Sequence, residues 1–218
     1  MKRFIVVGLG NFGSSVAEAL YVQGHDVIAI DMNEDAVDRM AAHVTRAAVG
    51  DGRVLETLDR LGARGCDAGI ISTGDDITSS ILAAMALRDL ETREIFVKVV
   101  SKDHARVMSR MGVTESIFPE REAALNLGTR LARKTVFNYV NLGNGVSLQE
   151  MAVPDDWEGK TLRDLSLREH FKVSVVAVHD VLTNTMRVPP DPDTALLESD
   201  TLLVAGNEKN LERLSRLR

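Results

Sequence analysis

Short apolar runs alternate with segments of helical spacing along the first half of the chain. "FIVVG" at 4–8 is apolar and β-branched, and Phe12, Val16, Ala19 and Leu20 then recur at helical intervals. The turn "GHD" leads to a second strand, "VIAID" at 27–31, after which Asn33 offers an N-cap for a short helix through Met40. A weaker strand follows at 46–50, then a helix at 53–62 closed by Gly62, and a fourth strand at 68–73. Ile77, Ile81 and Met85 share a face of the next helix; strands at 95–100 and 115–119 flank another at 104–112. Near-continuous apolar runs are the mark of buried parallel strands, and right-handed crossovers then require a doubly wound sheet. The expectation is α/β, a Rossmann-like parallel sheet of order 3-2-1-4-5-6 over residues 1–120.

The rhythm changes afterwards. Residues 121–138 read as one long helix with a wet face, a connector, followed by a turn-rich break, "NLGNG". Residues 139–218 then read as a small α+β module: a strand at 146–154, a helix at 161–171, strands at 172–180 and 196–206, and a terminal helix capped by Asn207.

Composition narrows the function. The 218 residues are 44% hydrophobic, enough for a substantial core, but only 4% aromatic, with a formal charge of −6. That balance argues against nucleic acid or anionic lipid as a partner, and a transcription-factor reading lacks its basic recognition helix. The lone Cys66 excludes an internal disulfide and reads as a core-edge residue. No apolar run approaches the ~20 residues of a membrane span, and "MKRFIVVGLG" reads as the start of a strand rather than a signal peptide, so a cytoplasmic location is expected.

The chemistry starts at the first strand. Gly8, Gly10 and Gly13 form G-x-G-x-x-G between a strand and a helix, with Asn11 and Phe12 between the second and third glycines. The first glycine permits the turn, the second lets a phosphate approach the backbone, and the third lets helix pack on strand. Asp31 ends the second strand, where a carboxylate accepts hydrogen bonds from ribose hydroxyls and repels a 2′-phosphate; Met32 follows it. "VGDG" at 49–52 and "STGDD" at 72–76 close strands on the same edge, the first able to flank an adenine, the second able also to cap a helix through Asp75 or Asp76.

A catalyst is harder to find. Tyr21 and Tyr139 have no lysine four residues on, Gly13 is not followed by the lysine of a P-loop, and the histidines (His25, His43, His104, His170, His179) have no second metal ligand at a suitable spacing and read as solvated or helix-terminal. The pattern favours a nucleotide sensor over a nucleotide-using enzyme; a small NAD-dependent oxidoreductase is the alternative.

"IVVGLGNFGSSVAEAL", "IISTGDD", "SRMGVTESIFPE" and the later "TLRDL…PPDPDTALLESDTLLVAG" together resemble the regulator of K+ conductance (RCK) family, in particular the cytosolic gating subunits of Ktr/Trk-type potassium uptake systems. The resemblance covers nearly the whole chain. It implies a Rossmann domain that dimerises, a crossover helix at 121–138, a small C-terminal dimerisation domain, and a homo-oligomeric ring, commonly an octamer. The ring would sit beneath a K+-conducting membrane subunit and change shape with an adenine nucleotide, ATP, ADP or NAD(H). Carried over by position, Asp31 would hold the ribose, Asp51 and Gly52 would border the adenine, and Thr73 and Gly74 would lie near ribose and phosphates. Lys98 would face the same cleft, and Glu120 would reach the phosphates through a bound cation. Asn11 departs from the arginine of ATP-responsive members, which favours ADP, AMP or NAD(H). Cyclic di-AMP binds between C-terminal domains in some relatives; Arg163, Arg168 and His170 are the candidates here.

Overall fold

A computed structural model of the chain describes residues 1–132 and 136–217. Its contacts divide it into two units, Met1–Pro119 and Glu120–Arg218.

In the first unit, strands β1 (Arg3–Val7), β2 (Asp26–Asp31), β3 (Arg46–Val49), β4 (Ala68–Ile71), β5 (Glu94–Lys98) and β6 (Glu115–Ile117) form one parallel sheet of order β3-β2-β1-β4-β5-β6. This is the expected order. Helices α1 (Asn11–Val22), α2 (Glu34–Met40), α3 (Leu55–Leu61), α4 (Ile77–Asp89) and α5 (Lys102–Arg110) provide the crossovers. Side chains alternate across a strand, so the sheet has two cores. Val6, Val27 and Ala29 pack with Ala17 of α1 and Val37 of α2. Ile5, Val7, Ile28 and Ile30 pack on the other face with Leu58 of α3, Leu87 of α4 and Met108 of α5. The crossovers diverge from β1, whose neighbours β2 and β4 lead to opposite edges, and such a switch point opens a crevice at the carboxyl ends of the strands.

Local signals set the boundaries. The Asn33 side chain accepts the Ala36 N–H at 3.1 Å, and Gly62 ends α3 at φ 93°, a conformation glycine adopts without strain. Asp76, not Asp75, caps α4 by accepting the Ser79 N–H at 3.0 Å. Cys66 is fully buried, and burial pushes its thiol up to about 11.

His104 is helix-terminal, one of the two readings the sequence offered, but it is buried rather than solvated. It lies in the first turn of α5, only 1% exposed, with Nε2 2.8 Å from Ser80 Oγ while Nδ1 accepts the Val100 N–H at 3.4 Å. Val100 thus requires an unprotonated Nδ1, and Nε2–H donates to Ser80, whose hydroxyl donates to the Ile77 carbonyl at 2.8 Å. Burial holds this imidazole below its ordinary value. The unfolded chain therefore takes up the proton first, and stability contributed by neutral His104 is lost as pH falls below about 6.5. Denaturant titration should show the midpoint dropping between pH 7.5 and 5.5, and His104→Gln should flatten that part of the curve.

The second unit has its own sheet. Helix α6 (Pro119–Ala132) is followed by β7 (Val136–Gly143), β8 (Val146–Ala152), a 3-10 turn at Asp155–Trp157, α7 (Leu162–Leu165), α8 (Leu167–His170), β9 (Val173–Asp180), β10 (Thr185–Arg187), β11 (Asp200–Asn207) and α9 (Glu208–Leu214). The five strands are antiparallel, in the order β10-β9-β11-β8-β7. Met151, Leu202 and Val204 pack with Leu165, Leu167, Leu211 and Leu214 from α7, α8 and α9.

Three expectations change here. The helix expected over 121–138 is described from Pro119 to Ala132; residues 133–135 lie outside the described residues, and Val136–Asn138 already belong to β7. "VFNYV" is β-branched and aromatic, and pairing with β8 favours extension there over helix. The break expected over 141–145 narrows to the hairpin turn Asn144–Gly145, both with positive φ, as a two-residue Asn-Gly turn requires. The helix expected at 161–171 is two single turns, because Ser166 takes a left-handed conformation (φ 43°) between them; the first turn carries a capping box between Thr161 and Asp164. Strand β10, at the sheet edge, was not expected.

Candidate functional site

The parallel register brings the glycine loop and its supports together. Val7 pairs with Ile30 on one side and Ile71 on the other, so Gly8 emerges between Asp31 and Ser72. Asp31 in turn pairs with Val49, which brings Gly50 and Asp51 alongside. The result is a cleft of about 340 Å³ at the switch point, within the roughly 300–1,000 Å³ usual for small-molecule sites.

The glycines have distinct roles. A Cβ at Gly8 would stand 2.2 Å from the Ser72 carbonyl oxygen, and one at Gly13 would stand 1.9 Å from the Gly8 carbonyl oxygen. Both are fixed by backbone packing. A Cβ at Gly10 would meet nothing within 4 Å, and Gly10 lines the cleft. This is the place where a ligand can approach bare backbone. Gly10 also caps α1 without a side chain, and the first turn of that helix holds no acidic residue. Its leading N–H groups and the positive end of the helix dipole are thus available to an anion.

Asp31 anchors the loop. Its Oδ2 accepts the Leu9 N–H at 2.6 Å and its Oδ1 accepts the Asn33 N–H at 2.8 Å. A carboxylate has about four acceptor sites, so each oxygen retains capacity for a ribose hydroxyl. Gly52 holds the adjoining loop close to β1: a Cβ there would stand 2.3 Å from Val7 Cγ1.

Of the thirteen expected site residues, Gly8, Gly10, Asp31, Met32, Asp51, Gly52, Thr73 and Gly74 line the cleft. The other five stand elsewhere. Asn11 opens α1 and faces a separate polar depression beside Ser14, Glu18 and His43. Phe12 packs against the core between the sheet and α1–α2, and Gly13 is buried against Gly8. Lys98 is the last residue of β5 and half-buried; Glu120 is exposed in the first turn of α6, in the second unit.

Arg53 and Ser79, which the sequence reading did not single out, also line the cleft, as do Ser72 and Asp76, which it took in only as part of the "STGDD" loop. Arg53 holds Asp51 in a fork, with Nε 2.9 Å from Oδ1 and Nη2 2.7 Å from Oδ2. Hydrogen bonding to that guanidinium holds the Asp51 carboxyl below the usual carboxylate range. Asp76 is held low in the same way by the Ser79 hydroxyl and N–H. An arginine two residues after Asp51 was the available signal, but its direction depends on how the loop folds back. No cluster of three metal-ligating side chains is found among the described residues.

The sheet order, the glycine loop and the acidic residue ending β2 define a Rossmann-type domain. The chain belongs to the potassium-transport family of TrkA domains: the TrkA-N domain model matches residues 4–119 and the TrkA-C domain model residues 148–218. The chain is 33% identical over 211 residues to the Ktr system potassium uptake protein A of Vibrio alginolyticus, covering 96% of this chain and 94% of that protein. It is 31% identical to the Ktr system potassium uptake protein C of Bacillus subtilis, covering 99% and 96%. The solved GsuK channel shares the fold, with a TM-score of 0.71 at 18% identity over 99% of this chain and 39% of that one.

Proposed function

We propose that this protein is a non-enzymatic, nucleotide-sensing regulatory subunit of a K+ uptake system. It assembles as a ring at the cytoplasmic face of the membrane and gates a K+-conducting membrane subunit. The observation that carries the reading is that both TrkA domains are present in order, and that the first carries an open cleft in which Asp31 and the backbone at Gly10 meet. The ligand is an adenine nucleotide, its ribose on Asp31, its base beside Asp51 and Gly52, and its phosphates at the start of α1. Asp31 disfavours a 2′-phosphate by like-charge repulsion. Ligand binding biases gating by as much as its affinities for two ring shapes differ.

Exposed apolar surface supports self-assembly. Helix α4 buries Ala83, Ala84 and Leu87 against the sheet, yet Leu82 and Met85 on its other side are 41% and 51% exposed. A helix apolar on both faces is one made to be covered twice. On α6, Leu125, Leu127 and Leu131 are also exposed. No helix among the described residues is long and apolar enough to cross a membrane, so the reading places the conducting path in a separate subunit.

Native mass spectrometry tests this reading. The expected result is a defined multiple of the 23.8 kDa chain with an adenine nucleotide retained at each site. A monomer at micromolar concentration, with and without nucleotide, would overturn the ring. Substrate-dependent absorbance change at 340 nm would instead favour a small NAD-dependent oxidoreductase.

A further inference from the structure

The cleft has an unusual charge balance for a site that admits phosphate. Three carboxylates line it, Asp31, Asp51 and Asp76, and among the described lining residues Arg53 is the one cation. Like charge at these distances repels an incoming anion by an amount that solvent weakens without removing. Asp31 is committed to the loop and Asp76 to the cap of α4. Asp51 is the carboxylate that a cation neutralises, through a fork that fixes the guanidinium plane with Nε on Oδ1 and Nη2 on Oδ2. The Arg53 N–H also donates to Asp51 Oδ1 at 2.9 Å, so the backbone holds the pair together as well. The arginine side chain is 38% exposed, so the pair forms part of the wall and is not sealed beneath it.

We propose that Arg53 is a specificity-determining residue of the cleft: by neutralising Asp51 it admits a phosphate-bearing ligand to a wall that would otherwise carry three uncompensated carboxylates. This rests on the reading of the cleft as a nucleotide site. One cation stands against three carboxylates, so the wall stays net negative and the cleft favours ligands with few negative charges, a nucleoside monophosphate or a dinucleotide, over a metal-free triphosphate. Arg53 acts here through Asp51, by charge; it need not touch the phosphate.

A pair of probes separates that role from others. Adenosine and AMP share base and ribose and differ by a phosphate, so the ratio of their affinities isolates the charge effect and is insensitive to any fraction of misfolded variant. In titration calorimetry, Arg53→Gln should lower the AMP-to-adenosine affinity ratio on the order of ten-fold. The Asp51→Asn, Arg53→Gln double variant restores the original charge balance and should return the ratio to within about two-fold of the wild type. An unchanged ratio in Arg53→Gln overturns the inference, and so does a ratio that stays low in the double variant, which would mean direct contact between Arg53 and the phosphate. In both cases wild-type binding would leave the nucleotide reading standing. Failure of the wild-type protein to bind either probe would overturn that reading and this inference together.

Discussion

Asp31→Ala is expected to reduce adenine-nucleotide affinity about a hundred-fold or more by calorimetric titration, without unfolding the sheet. A charge-assisted hydrogen bond from a ribose hydroxyl contributes about 1.5–3 kcal/mol, which alone corresponds to roughly ten- to a hundred-fold. The structure enlarges that figure, because the same carboxylate accepts the Leu9 and Asn33 N–H groups. Alanine therefore removes a ligand contact and releases the loop that presents Gly10. Asp31→Asn distinguishes these parts. Its amide oxygen can still accept one N–H, but its NH2 group then faces the other, so the loop should remain mispositioned despite the similar shape. Unchanged affinity in Asp31→Ala would remove the cleft as the nucleotide site.

The second large effect contrasts two glycines three residues apart. Gly13→Ala should destabilise the protein by about 3 kcal/mol, a fall of about 10 °C in melting temperature, because the new Cβ would stand 1.9 Å from the Gly8 carbonyl oxygen. That neighbour is backbone and cannot rotate away. Gly10→Ala should melt normally, since its Cβ enters open space, yet bind nucleotide weakly, since that space is where the ligand's phosphate would lie. Thermal melts paired with titrations check both. A Gly13→Ala protein as stable as the wild type would contradict the packing at the start of α1, and a Gly10→Ala protein that binds normally would place the phosphate elsewhere.

The sheet order was legible in the sequence because each strand of the first unit is a local apolar run and each crossover a local helical pattern. The second unit was less so. Strand β10 contributes only Thr185–Arg187, and β7 holds its extended form through pairing with β8. A short edge strand and a segment that could also be helical gain their conformation from a partner distant in sequence, and hydrophobic period does not report that partner.

The site divides along the same line. Gly8, Gly10, Gly13 and Asp31 could be read from the chain because their roles follow from position at the ends of consecutive elements. Asn11 and Phe12, neighbours of those glycines, turn away from the cleft because helical geometry sends successive side chains around α1. Only the folded chain places Arg53 in the wall and joins it to Asp51, and brings Ser72, Asp76 and Ser79 from the far side of the switch point to face them. Residues 53 and 76 belong to loops after β3 and β4, strands that are neighbours in the chain and separated in the sheet by β2 and β1. The glycine pattern alone pointed to a stretch of bare backbone at Gly10, which the fold places in the cleft. Which charges share the cleft was decided by tertiary structure, because the strand order sets which loops meet there.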